Sequence, residues 1–239
     1  MNNILFVIVL YNKTREQSLA WQSLCKCLSA EQLQKVYIHD NTRHNIYLAA
    51  AYNLALRKAQ DEGYTWLCLL DDDTEVTAEY IESLTERTSQ DNETKVWVPR
   101  LVGSDGKIMS PFRHLGILTA LNSGTVISTS VMQSIGGFNV QYPLDYLDYW
   151  LFRELHRRRI SIGLLSAKLI HHLSCSDYSD MPRERYLSIL KAEKQFAGEG
   201  GYAVMIYYKF QLLGRLIKWT LTKHPYILET FRQLTGRQP

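Results

Sequence analysis

Through the first hundred residues, short apolar runs alternate with segments whose apolar positions recur at helical spacing. This rhythm predicts βαβ units and a mostly parallel sheet. Residues 4–10 form the first expected strand. Thr14-Arg15-Glu16-Gln17 has capping-box spacing and predicts a helix running to about residue 27. A second strand is expected over 35–39, then a helix from Asn45 to about residue 62, closed by Gly63. Residues 64–70 form the third strand. Thr77 is placed to cap a helix over 78–88, and a further strand over 96–98 is expected to stop at Pro99.

Beyond Pro99 the rhythm loosens. Gly103-Ser104-Asp105-Gly106 is a turn signal, and 118–128 is a β-rich run broken at Ser123-Gly124. Gly136-Gly137-Phe138 breaks the chain, residues 145–158 have helical composition, and 160–170 supply one or two strands before His171-His172. From about Tyr178 the pattern is helical, with no repeat and no low-complexity linker. The expected class is α/β: a doubly wound, mostly parallel sheet, a mixed second half and a C-terminal helical tail. The expected domains are 1–175, divided at residue 100 into a nucleotide-binding half and an acceptor half, and a helical extension over 176–239.

The third strand ends in Asp71-Asp72-Asp73. In extended chain alternate side chains share a face, so Asp71 and Asp73 are expected to point the same way and hold one hard divalent cation, with Asp72 pointing elsewhere. The carboxyl ends of strands are where ligands sit in open α/β sheets, which suits a metal-bound diphosphate. A calcium loop starting at Asp71 fails because Val76 stands where such a loop needs glycine, and because a strand pattern precedes it.

With 239 residues, 46% hydrophobic and 21% charged, the chain can bury one sizeable core. The cysteines, Cys25, Cys27, Cys68 and Cys175, form no CxxC pair, so reduced thiols are expected. The N-terminus lacks the basic start of a signal peptide, and no segment reaches the roughly 18 apolar residues of a span. A cytoplasmic protein is therefore expected. Net charge is +3, unevenly placed: residues 181–239 hold ten Lys/Arg against four Asp/Glu.

Several pieces occur in a fixed order: Tyr11 after strand one, Asp40-Asn41 after strand two, Asn45 to Asn53 as a variant of N-x-G-x-x-x-A-x-N, and the triple Asp. Asn122-Ser123-Gly124, Gly136-Gly137-Phe138, Asp145-Tyr146-Leu147-Asp148, Arg153 and His171 follow. Together they resemble glycosyltransferase family 2, in particular its rhamnosyltransferase-like and galactofuranosyltransferase-like branches, over residues 3–175. The resemblance implies a GT-A fold and metal-dependent, inverting transfer of a sugar from a UDP- or dTDP-sugar to a glycan or lipid-linked glycan, in bacterial surface polysaccharide synthesis.

It also implies roles. Asp148 matches the general base, with Asp145 as the alternative. Tyr11, Asp40, Asn45, Asn53 and Asp71 match nucleotide contacts. Asp71 and Asp73 are the ends of a D-x-D motif holding Mn2+ or Mg2+, with His171 as a further ligand and His172 as the alternative. Ser123, Gly124 and Arg153 are donor or acceptor contacts. Two departures stand out: Tyr47 where the family usually has glycine, and Ser174 in place of the glycine of H-x-L-G. Other readings of the residues stay open: a non-catalytic nucleotide-sugar or glycan binding module, and a haloacid-dehalogenase-like phosphatase.

No nucleic-acid partner is expected. In the tail, residues 202–223 interleave basic with aromatic and aliphatic positions. They read either as a helix packed on the core or as one lying on an anionic membrane, at the inner face of the cytoplasmic membrane. In the second reading Lys209, Arg215, Lys218 and Lys223 lie near headgroups and Trp219 at the interface.

Overall fold

Seven mostly apolar residues make β1 (Ile4–Leu10) a buried strand of the sheet. On either side β2 (Val36–Asp40) and β3 (Trp66–Asp71) pair with it in parallel, so all three end at the same edge. The computed structural model describes residues 3–91, 93–172 and 181–236. Cys175, Tyr178 and the Leu173-Ser174 end of the late motif lie outside the described residues. Contacts divide the chain into two compact units, Met1–Leu173 and Ser174–Pro239.

In the first unit the sheet continues from β3 through β9 (Val126–Ser128), β5 (Val96–Gly103) and β10 (Ile162–His171) to β4 (Thr74–Glu75), with β6 (Ile108–Ser110) paired to β5. β9 lies antiparallel between β3 and β5, while β5 and β10 are parallel. A separate hairpin joins β7 (Phe112–His114) to β8 (Ile117–Thr119). The helices are α1 (Leu19–Cys27), α2 (Ala30–Leu33), α3 (Tyr47–Asp61), α4 (Ala78–Gln90), α5 (Thr129–Ser134) and α6 (Leu147–Arg157). One core cluster runs under the strands, from Phe6, Ile8 and Leu70 to Tyr80, Leu84, Leu165 and Leu169. This is the α/β fold, with helices around the sheet, that the apolar rhythm predicts.

Three boundaries differ from the sequence reading, each for a local reason. The helix expected from Thr14 is a 3-10 turn, Arg15–Gln17, followed by a new start at Ser18, whose hydroxyl caps Trp21. β5 does not stop at Pro99. Proline lacks an N–H for the ladder, and β10 bulges opposite it, so that Val98 pairs with Leu164 and Arg100 with Lys168. The division expected at residue 100 therefore runs through the middle of a strand. Asp145 lies outside α6, because Tyr146 takes a left-handed φ of 63° and the helix starts at Leu147. The helix expected over 145–158 therefore begins two residues later, at Leu147.

In the second unit α7 (Arg183–Glu199), α8 (Tyr202–Thr222) and α9 (Ile227–Thr235) pack around Tyr186, Leu190, Tyr208, Leu212 and Trp219. Arg215 grips Glu193 through two nitrogens, at 2.7 and 3.1 Å. Trp219 is only 6% exposed and stacks on His224 at 3.7 Å between centroids. The expectation that Arg215 and Trp219 face lipid is thus overturned: both are turned into the helical unit. Among the described residues no helix is long and apolar enough to cross a membrane.

Candidate functional site

The triple Asp divides its labour by the alternation of an extended chain. Asp72 turns away, its carboxylate on Lys13 Nζ at 2.7 Å. Its carbonyl accepts from the amides of Leu19 and Ala20 and from the Ser18 hydroxyl, anchoring the start of α1. Asp71 and Asp73 instead converge with His171, delivered by the far end of β10, and one ligand atom from each of the three lies within 4.8 Å of the others. The antiparallel pairing of Thr74 with His171 across β4 and β10 brings this about.

Charge in this cluster is poorly met by the protein itself. Burial, then Asp73 and Asp72, pushes the Asp71 carboxyl up to about 7. Asp73 is also raised, chiefly by burial, although His171 and Lys13 oppose the shift. Asp73 Oδ1 is buried without a hydrogen-bond partner, 3.4 Å from His171 Nδ1. Two carboxylate oxygens and an imidazole nitrogen, one oxygen orphaned, fit a divalent cation. His172 sits lower in that ranking: half-exposed, it lies 4.0 Å from Glu75.

Behind the cluster runs a chain of hydroxyls. The Asp71 amide donates to Ser123 Oγ at 3.0 Å, Ser123 Oγ meets Thr74 Oγ1 at 2.7 Å, and Thr74 Oγ1 meets His171 Nδ1 at 2.8 Å. Ser123 is fully buried. Gly124 has a φ of 76°, and a side chain there would run into Leu169 and Pro99. Both residues were expected as donor or acceptor contacts. In the structure Ser123 supports the acids from behind, and Gly124 packs where a side chain would not fit.

Asp148 lies in the first turn of α6, where a carboxylate is favoured by the helix dipole and Oδ1 accepts from the Tyr149 amide at 2.8 Å. Burial outweighs this. Its carboxyl is pushed up to about 7 by burial, with Asp71 and Asp145 adding repulsion. The charge of Asp71, at the end of β3, thus reaches Asp148 on a different element. Asp145 is half-buried in the turn before the helix. Arg153, five residues beyond Asp148, projects about 140° around the helix from it.

The nucleotide-side expectations are met unevenly. Tyr11 is exposed just beyond β1, and Leu10 pairs with Asp40 at the adjoining end of β2. Asp40 is exposed, and Oδ1 accepts from the Thr42 amide at 2.8 Å; hydrogen bonding to the Thr42 side chain, then to its backbone, lowers the Asp40 pKa. Thr42 in turn takes the Asn12 amide, tying the two loops together. Asn45 Oδ1 accepts from the Tyr47 amide and shapes the start of α3. Tyr47 itself has a φ of 63°, in the left-handed region that glycine occupies without strain. The Asn53 amide both accepts from Phe138 N and donates to Phe138 O, each at 2.8 Å, so it clamps the Gly-Gly-Phe segment to α3.

Thr74 and Tyr52 escaped the sequence reading, and Asn122 entered it only as part of a motif. Thr74 joins Ser123 to His171. Tyr52 is fully buried with its hydroxyl unpartnered, and its pKa is driven well up by burial, then by Asp71 and Asp148. Asn122 Oδ1 is likewise buried without a partner. Unmet buried polar atoms are rare enough to mark a functional region.

Comparison with known proteins agrees with this arrangement. The model of glycosyl transferase family 2 matches residues 8–132, more than half of the chain. No curated protein matches the sequence. The crystal structure of S. aureus TarS 1-349 in complex with UDP-GlcNAc superposes with a TM-score of 0.57 at 14% identity, over 100% of this chain and 82% of that one. The structure titled S. aureus TarS 1-349 gives 0.52 at 14% identity, covering 98% and 90%. At that identity the likeness shows the fold, of the GT-A kind, and nothing finer. The matched segment runs from the end of β1 past the triple Asp and Ser123, and the chain belongs to glycosyltransferase family 2.

Proposed function

We propose that this glycosyltransferase is metal-dependent and inverting, and that it moves a hexosyl or rhamnosyl group from a UDP- or dTDP-sugar to a glycan or lipid-linked glycan. Surface polysaccharide assembly is the setting that the rhamnosyltransferase-like and galactofuranosyltransferase-like resemblance suggests. The observation that carries the reading is the convergence of Asp71, Asp73 and His171, with the charge of Asp71 felt at Asp148. S. aureus TarS 1-349 has been crystallised with UDP-GlcNAc, which supports a nucleotide-sugar donor for a chain of this fold.

In this reading Asp71, Asp73 and His171 hold the cation. Their mixed oxygen and nitrogen set favours Mn2+ over Mg2+. Bound there, the cation would offset charge on the departing diphosphate. Tyr11 and Asp40, at adjoining strand ends, take the nucleotide base. Asp148 accepts the proton of an acceptor hydroxyl as that oxygen attacks the anomeric carbon and the bond to the diphosphate oxygen breaks, inverting the carbon. Asp145 raises the basicity of Asp148 by repulsion, and the buried Tyr52 hydroxyl is available to donate to a bound ligand. Holding donor and acceptor in line supplies the rest.

The deciding experiment incubates the protein with UDP- and dTDP-sugars, a glycan acceptor and Mn2+, and measures released nucleotide diphosphate. Release that needs Mn2+, stops in excess EDTA and is lost in Asp73→Ala supports the reading. Full activity in EDTA overturns the metal assignment. Nucleotide-sugar binding without release in every condition favours the binding-module alternative.

A further inference from the structure

α8 is apolar on two opposite faces. Tyr208, Leu212 and Trp219 point into the helical unit. On the other side Tyr202, Ile206, Phe210, Leu213, Ile217 and Leu221 are all exposed, with Tyr202 at 84%, Phe210 at 68% and Leu221 at 81%. At about 100° per residue these six fall within an arc of about 100°, centred roughly opposite the buried face, and they run about 29 Å along the helix. A helix whose outer face is this apolar has its solvent side directed at something other than water.

Charge identifies the occupant. α8 carries no acidic residue. Lys209 falls on one border of the stripe and Lys218 on the other by the same helical geometry, both exposed, and exposed Lys223 closes its C-terminal end. Two of the four acids in the tail are consumed inside the unit, Glu193 by Arg215 and Glu229 by Arg183, each at 2.7 Å. The outward surface of α8 is therefore an apolar band whose charged neighbours on the helix are all cations. A second copy of the chain would bring like charges together around such a band, whereas anionic headgroups would complement it.

We propose that this face of α8 docks on an anionic lipid surface, lying in the plane of the bilayer with Phe210 and Ile217 inserted among the acyl chains and Lys209, Lys218 and Lys223 at the phosphates. The docking face lies opposite Trp219 and excludes Arg215. The proposal rests on the helical unit alone and stands or falls independently of the transfer chemistry.

The test is co-sedimentation of the full-length protein with vesicles of phosphatidylcholine alone and of phosphatidylcholine with phosphatidylglycerol, at low and high salt. Binding is expected to the anionic vesicles and to weaken with salt. Lys209→Glu, Lys218→Glu and Lys223→Glu together should reduce the partition coefficient about a hundredfold, since each lysine near an anionic surface contributes roughly a factor of five. Phe210→Ser with Ile217→Ser should reduce it comparably. All these positions are exposed, so circular dichroism and thermal melting should match the parent and exclude unfolding as the cause. A wild-type protein that stays in the supernatant with anionic vesicles at low salt overturns the proposal. So does concentration-dependent self-association abolished by Phe210→Ser, which would assign the stripe to a second copy.

Discussion

Two groups of buried acids in this chain are treated in opposite ways. In the helical unit Glu193 is buried but meets the Arg215 guanidinium through two hydrogen bonds, so its charge is answered within the fold. In the catalytic unit Asp71 is driven up to about 7, and Asp73 Oδ1 has no hydrogen-bond partner among the described residues, with the His171 imidazole 3.4 Å away. A structural acid brings its counterion with it. An acid kept for a ligand leaves its charge to be balanced on binding, and the free protein carries the cost in stability.

That contrast is sharpest in opposite responses to truncation. Glu193→Ala strands a buried guanidinium and should destabilise the protein by about 3–5 kcal/mol in chemical denaturation, with the double change Glu193→Leu/Arg215→Met recovering much of it. Asp73→Ala, measured without metal, should leave the melting temperature unchanged or raise it, because it removes an unpaired charge. Equal destabilisation by the two would break the comparison.

Next in size is the base. Asp148→Asn keeps volume and most hydrogen bonding but cannot take a proton, so transfer should fall by roughly 10²-fold while donor affinity measured by calorimetry is retained. Asp145→Asn should cost less, since it acts only through its charge on Asp148. The reverse order would make Asp145 the base.

A pH series tests the electrostatics directly. The carboxyls of Asp71 and Asp148 are raised to about 7, so between about pH 4 and 7 the native state binds more protons than the unfolded chain. Their contribution to stability is therefore present at low pH and lost as pH rises through 7. The metal-free protein should melt progressively lower from pH 5 to pH 8. Mn2+ should restore the melting temperature at pH 8 and do little at pH 5, where its ligands are protonated. A flat profile without metal would contradict the raised values.

The smallest effect expected is at Thr74. Thr74→Val keeps the shape of the buried side chain but removes the hydroxyl that joins Ser123 to His171. Metal affinity should weaken about 10-fold, as for other groups that orient a ligand from behind, with the fold retained. An unchanged affinity would mean that the ring is held by packing alone.

Much of this was written in local pattern. The strands β1 and β3, the capping by Thr77, and the separation of Asp72 from Asp71 and Asp73 follow from periodicity and from the alternation of an extended chain, and these need no knowledge of distant residues. Local rules also misled. Pro99 reads as a strand stop until β10 is seen to bulge around it, and Asp145 reads as helical until Tyr146 takes its left-handed turn.

What the sequence by itself determined was the order of the elements, the α/β class and the presence of an acidic strand end, because each depends on neighbours in the chain. What only the tertiary structure decided was partnership. His171 reaches Asp73 because β4 pairs with β10 across ninety-odd residues, Ser123 and Asn53 turn out to be struts because their polar atoms meet backbone from remote segments, and Arg215 turns inward to Glu193. Hydrogen bonds and charge act over a few ångströms of space whatever the separation in sequence, so the chain shows which groups can bond while only the folded packing chooses which of them do.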